Sequence, residues 1–274
     1  MSIGLARPVS HFLLIISVFV LSSRIGAQQP TGKTPAGPAP NPCVQPARIF
    51  LMEEYTGPFK NLVGYFVRKP EITTVHLHRT QAGARVCALT SGEKFHLFVR
   101  NTFDPVTLFA AGWDAGLAQA EDADPTFGQG AEGFGKRLGA AAADRAASGF
   151  FHTFVFPVVF HQDPRYYRQG YGTFHGRLRH SLTHVFVARS DSGAAEFNYS
   201  EWLGTISAVA LSNTYHPGNE RSFASASQRV AVNIASDAGF DVLREFWPEI
   251  VRKCKLPFRV EQPPSSSSGS DKPH

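Results

Sequence analysis

The chain has 274 residues, 43% hydrophobic and 18% charged, and its 27 Lys and Arg outnumber 22 Asp and Glu for a net charge of +5. Less its low-complexity ends, that length suits one domain with a sizeable core, with or without a small appendage. The basic residues are dispersed rather than gathered into a patch, which argues against nucleic acid and leaves an anionic surface or ligand as the fairer expectation.

Residues 1–27 have the layout of a secretory signal peptide: Arg7, an apolar run Phe12–Leu21, then the small-residue exit Ile25-Gly26-Ala27. Cleavage after Ala27 is expected, and periplasmic or outer-membrane-associated export with it. The run of about ten residues is short of the roughly twenty that span a bilayer, so an uncleaved anchor is the alternative. In an exported chain the three cysteines suggest one disulfide, with Cys43–Cys87 the expected pair and Cys254 left over. The alternative is three unbridged cysteines.

Residues 28–46 are Pro, Gly, Ala, Thr and Asn with hardly a large apolar side chain, a composition that cannot offset the entropy of ordering, and they read as a linker. Residues 258–274, with their run of four serines, read as a tail. Between them, 47–90 is an irregular or hairpin appendage, in which Thr73–His78 alternates as a strand does and Ala82-Gly83 offers a turn before Leu89. His76 and His78 would share a face; solvent-facing histidines explain that better than a metal.

Residues 91–257 predict a helical domain. Thr90 and Glu93 form a capping box that opens a helix, and Asp104-Pro105 ends it and starts a second running to about Ala120. Asp124-Pro125 marks an interhelix turn, and Asp163-Pro164 repeats the Asp-Pro punctuation. Phe134–Ser148 predicts a helix interrupted at Gly149, and Phe150–Phe160 continues it until kinked or ended near Pro157. Phe174–Arg189 predicts another, Asn198 and Glu201 open Tyr199–Asn213, and a long helix starts near Ser225 and Gln228 and ends at Trp247-Pro248. The fold class expected is mainly α, a bundle of about six helices. Small residues four apart, at Gly112/Gly116, Gly135/Gly139/Ala143, Gly204/Ala208 and Ala231/Ala235/Gly239, predict close-packed seams of a kind frequent in membranes and present in soluble bundles too.

Five of the eleven histidines fall between Gly149 and Gly193. His180 and His184 share a helical face, with His175 five residues before, and a third ligand would come from His161, Asp163 or His152. Ser181 stands where a metalloprotease places its glutamate, ordinary hydrogen-bonded histidines account for the spacing, and no metal or other cofactor is expected. Gly128–Gly133 spells G-x-G-x-x-G without a strand before it, so a loop explains it and a dinucleotide site does not. Arg165, Arg168, Arg177 and Arg179 flank Tyr166 and Tyr167 after the most apolar segment. Such guanidiniums suit phosphate or carboxylate, and a salt-bridge network with Asp163, Asp191 and Glu196 is the plainer account. Asn198-Tyr199-Ser200 is a glycosylation sequon whose asparagine caps a helix.

Through Phe134–Arg137 (FGKR), His161–Arg168 (HQDPRYYR) and Phe197–Gly204 (FNYSEWLG) the chain resembles a family of exported bacterial helical proteins of unknown function, over about Leu89–Pro248. The resemblance brings no activity, cofactor or site residue. The functional expectation is therefore an envelope- or membrane-associated helical protein whose Arg/Tyr-rich hinge contacts anionic lipid or ligand. The alternative is a lipid- or phosphoester-active enzyme using His161, Asp163, His180 and His184.

Overall fold

A helix begins where a side chain can accept from the free amides of its first turn, and four of the predicted starts do so. In a computed structural model describing residues 43–44, 51–53, 60–76, 85–123, 125–216, 222–254 and 258–260, these form a mainly helical bundle with only short strands. The expected signal peptide, most of the linker, His78, the Ala82-Gly83 turn and the serine-rich tail lie outside the described residues. Cys43 and Cys87 are disulfide-bonded, and Cys254 is a free, exposed thiol.

Strand β1 (Leu51–Glu53) pairs antiparallel with β6 (Phe258–Val260), so residues counted in the tail form a strand. The appendage holds a helix that periodicity did not announce, α1 (Lys60–Ile72), with Pro70 inside it. Strand β2 (Thr74–His76) finds its partner not across the expected hairpin but in parallel with β3 (Tyr166–Arg168). Asp163-Pro164 therefore opens a strand rather than a helix; the Asp163 carboxylate accepts from Arg165 N at 3.0 Å and turns the chain locally.

Helix α2 (Ser91–Thr102) has the full capping box, and α3 (Pro105–Ala120) starts on Asp104. A short 3-10 turn at Pro125–Phe127 leads to α4 (Gly130–Gly149). Gly149 does not interrupt it: the backbone stays helical through a π-helical turn at Phe150–Val155 and on into α5 (Phe156–Val159). Proline at 157 has no N–H and its ring crowds the carbonyl four residues back; the π turn, with Phe156 N–H reaching Phe151 O, adds the residue that relieves this.

Helix α6 (Phe174–Thr183) stops six residues short of the expected end. Its following carbonyls are taken by groups distant in sequence: Asn198 Nδ2 donates to His184 O at 2.9 Å and Trp202 Nε1 to Val185 O at 3.0 Å. The chain then enters β4 (Val187–Arg189), antiparallel to β5 (Ala195–Phe197). Helix α7 (Tyr199–Ser212) starts on Asn198, whose Oδ1 accepts from Glu201 N. Asn198 is thereby buried, and the sequon is spent on capping.

Helix α8 (Phe223–Lys253), capped by Ser222, runs through Pro248 instead of ending there. Proline deprives the Arg244 carbonyl of its usual donor, and Arg168 Nε supplies one at 2.6 Å. Val67 of α1 and Val251 of α8 form a small apolar core with Val63 and Trp247.

The glycine seams mostly face outward. A Cβ at Gly112, Gly116, Gly135, Gly139 or Gly239 would meet nothing within 4 Å, and only Gly204 is pressed against a neighbour across helices at less than van der Waals distance. Gly133 is different: it sits over the Gly-rich loop, where its Cβ would fall 2.2 Å from Gly128 O. That loop, with Gly128 and Gly130 at positive φ, is held by the buried Arg137, which donates to Gly128 O and Ala123 O. Gly133→Ala should therefore destabilise by about 1–3 kcal/mol, while Gly139→Ala should stabilise by up to about 1 kcal/mol, as thermal unfolding of the two variants would measure.

Candidate functional site in the polar interior

Buried charges survive only when each is given partners, and the predicted site residues are mostly absorbed in this way. Asp163 accepts from Arg165 Nη2 and from the Tyr167 hydroxyl, both at 2.6 Å. Arg165 also donates to Cys87 O, next to the disulfide, and the Arg189 guanidinium lies over the Tyr167 ring. Arg168 pairs with Glu71 at 2.9 Å. Arg177 pairs with Glu245 at 2.9 Å and Glu249 at 2.6 Å. Of the arginines predicted for an anion, Arg179 alone is exposed.

Glu245 has no side-chain exposure at all and receives Tyr166 Oη, Gln169 N, Gly170 N and Arg177 Nε. Burial by itself would raise its carboxyl, but Arg177 and the backbone and tyrosyl donors outweigh it and hold the group below its usual range. The Tyr166 hydroxyl is pushed up by burial and by Glu245.

The predicted histidines point to separate acceptors. His180 Nε2 lies 2.8 Å from Tyr167 O, as a donor. His184 Nδ1 lies 2.6 Å from Asp241, which Arg244 also reaches at 2.7 Å. His161 is exposed, at φ 54°. The expected salt-bridge partners differ too: Asp191 takes the buried Lys94 at 2.8 Å, and Glu196 takes Gln162.

A different histidine is placed among carboxylates. His152 stands in the π turn and lies flat against α7 at Gly204, where a Cβ would come within 2.4 Å of its Cδ2. Its Nε2 is 3.1 Å from Thr205 Oγ1, and that hydroxyl donates to Glu201 O at 2.8 Å, so it accepts from Nε2–H. His152 Nδ1 then faces Glu201 Oε2 at 3.5 Å. Asp237 of α8 completes the group: one ligand atom from each of the three lies within 4.8 Å of the others, the one such group of three among the described residues. Glu201 Oε1 is buried and accepts no hydrogen bond.

The electrostatics follow from that crowding. Burial and the Glu201 charge push the Asp237 carboxyl up to about 7. Burial alone would lower His152, but Glu201 and Asp237 hold it above its ordinary value. Two carboxyls and an imidazole so arranged can share a proton or hold a cation. Of these residues the sequence singles out only His152, as one of three choices for a third ligand; Glu201 reads as a helix-capping residue and Asp237 carries no motif. The available signal was a titratable residue inside each of three otherwise apolar or small-residue stretches.

The chain matches no protein-family model, no curated protein and no solved structure.

Removing Arg168 strands Glu71 and the Arg244 carbonyl together. Arg168→Met should cost about 3–5 kcal/mol in chemical denaturation, and Arg179→Gln should stay within about 0.5 kcal/mol. Glu71, Asp241 and Glu245 are all held below their ordinary range by partners that outweigh burial. A depressed carboxyl contributes stability above its unfolded value and loses it as pH falls through the folded one. Denaturation midpoints should accordingly decline on acidification below about pH 4, a series at pH 7, 5, 4 and 3 being the check.

Proposed function

We propose that this is an exported helical protein seated on or part-way into a lipid bilayer, its apolar helix faces turned to lipid and its charges turned inward. One observation carries the reading, the inverted sidedness of the helices. Helix α7 turns Ser200, Thr205 and Ser212 inward and Leu203 and Ile206 outward, Ile206 being 48% exposed. Helix α3 buries Ala111 and Ala115 and presents Leu108, Phe109, Trp113 and Leu117, with Trp113 61% exposed. Helix α8 buries Asp241 and Glu245 while Phe240 is 58% exposed.

Apolar surface left in water forgoes about 25 cal/mol per Å², and contiguous exposed patches mark lipid or partner surfaces. No helix of the described residues is long and apolar enough to cross a membrane, so the seating proposed is interfacial rather than threaded. The disulfide agrees with an oxidising compartment. The hinge contact with anionic head groups narrows to the exposed Arg179 and Tyr171, because Arg165, Arg168 and Arg177 have internal partners. In the enzyme alternative, the chemistry moves from His161, Asp163, His180 and His184 to the centre around His152, where the unpartnered carboxylate oxygen lies.

Trp202 and Trp247 donate their indole N–H groups to backbone carbonyls inside the fold, leaving Trp113 as the surface reporter. With Trp202 and Trp247 changed to Phe, the Trp113 emission should shift to the blue on adding vesicles and be quenched by brominated lipid. The native chain should stay with membranes through carbonate extraction. A monodisperse protein recovered from carbonate without detergent, with Trp113 emission indifferent to vesicles, would overturn the proposal.

A further inference from the structure

We propose that His152, Glu201 and Asp237 are the protein ligands of one divalent transition-metal cation of the zinc class, with a fourth position left open. The argument does not rest on where the protein resides. It begins with the imidazole. A histidine binds metal through a nitrogen lone pair, and which nitrogen is free is set by the hydrogen bond the other makes. When Thr205 Oγ1 donates to Glu201 O it accepts from His152 Nε2–H, and a cation that replaces the proton on the other nitrogen finds the ligating lone pair on Nδ1. Nδ1 is the nitrogen that faces Glu201. Thr205 is thus a positioning residue that holds the ring in the ligating tautomer.

Distance supports the same assignment. With Zn–N and Zn–O near 2.1 Å, neighbouring ligand atoms of a tetrahedral site are about 3.4 Å apart. His152 Nδ1 and Glu201 Oε2 are already separated by 3.5 Å. One ligand atom from each of the three lies within 4.8 Å of the others, a spread that side-chain adjustment can close on a cation.

The backbone is shaped to the site. The π turn carries His152 out of the regular helical repeat, and π turns recur at functional positions because they re-aim one side chain without ending the helix. Gly204 removes the one Cβ that would collide with the ring. The buried Glu201 Oε1 has no N–H or hydroxyl donor in the fold, so a proton shared with Asp237, or a cation in its place, is what would satisfy it. Arg244 is engaged by Asp241 at 2.7 Å, so the two adjacent carboxyls have the His152 imidazole as their close basic neighbour.

The donor set decides the class. One imidazole nitrogen and two carboxylate oxygens suit zinc and its first-row neighbours, whereas magnesium and calcium prefer all-oxygen shells. Three protein ligands with an open position is the composition of reactive rather than purely structural zinc sites.

The test uses tag-free, full-length protein purified in detergent, stripped with chelator, and titrated with zinc chloride by calorimetry, with bound metal counted by elemental analysis. One zinc per chain and a melting temperature that rises with zinc are expected. Asp237→Asn and Glu201→Gln keep the shape of the side chains and relieve the crowded charge. Each should fold with an unchanged circular dichroism spectrum, melt no lower than the stripped wild type, and bind zinc at least about 100-fold more weakly. Thr205→Val, which frees the imidazole tautomer, should weaken zinc by about 10–100-fold. Asp241→Asn, at the neighbouring His184 pair, should retain wild-type affinity. Absence of stoichiometric zinc in the folded wild type, full binding by both carboxamide variants, or calcium bound more tightly than zinc would each overturn the proposal.

Discussion

A carboxylate shut away from water has to be surrounded by donors, and in this protein much of the tertiary structure follows from meeting that demand at Glu245. Its oxygens collect the Tyr166 hydroxyl, the Gln169 and Gly170 amides and the Arg177 guanidinium. Those four groups come from β3, the turn after it and α6, so one acceptor on α8 sets how three consecutive pieces of chain meet the long helix. Arg168 extends the same arrangement: it spans Glu71 on α1 and the Arg244 carbonyl that Pro248 leaves without a backbone donor. A proline that would normally end a helix is tolerated because a guanidinium from a neighbouring strand occupies the vacated acceptor.

The interior built this way is polar where a water-soluble bundle of this size would be apolar. Lys94, Arg137, Asp163, Arg177, Asp241 and Glu245 are buried, and several buried apolar positions are alanine or valine. The large apolar side chains of α3 and α7 stand outside. The lipid seating proposed above would reconcile the two halves of that pattern, because lipid demands that polar groups be satisfied internally and imposes no penalty on exposed Leu, Ile and Phe. The open glycine stripes on α3 and α4 belong to the same outer surface.

Among these buried charges the centre at His152 differs in kind. Asp163, Glu71, Asp241 and Glu245 each have a cationic or strong donor partner in the fold, and their carboxyls are accounted for as structure. Glu201 and Asp237 instead lie beside one another and beside an imidazole, with a Glu201 oxygen that no N–H or hydroxyl reaches. Networks of the first sort lock helices together; an arrangement of the second sort is costly to keep unless something else is bound or transferred there.

Local physics was enough for the sequence to determine the helical class and many of the boundaries. Thr90/Glu93, Asp104-Pro105 and Asn198 cap helices through contacts within three residues, and a spacing of that length is visible in a linear string. The Cys43–Cys87 bond is the expected pair, although three cysteines leave the pairing open until the fold brings two together. Where the reading departed from the structure, the deciding partner was distant. Helix α6 stops at Thr183 because Asn198 and Trp202 claim the next carbonyls; α8 passes Pro248 because Arg168 lies alongside; β2 pairs with a strand some ninety positions away instead of its own hairpin. The site is the extreme case. His152, Glu201 and Asp237 lie in three separate helical segments, each with a local explanation of its own. Only the crossing of those segments, permitted by a π turn on one and a missing Cβ on another, brings an imidazole and two carboxyls together.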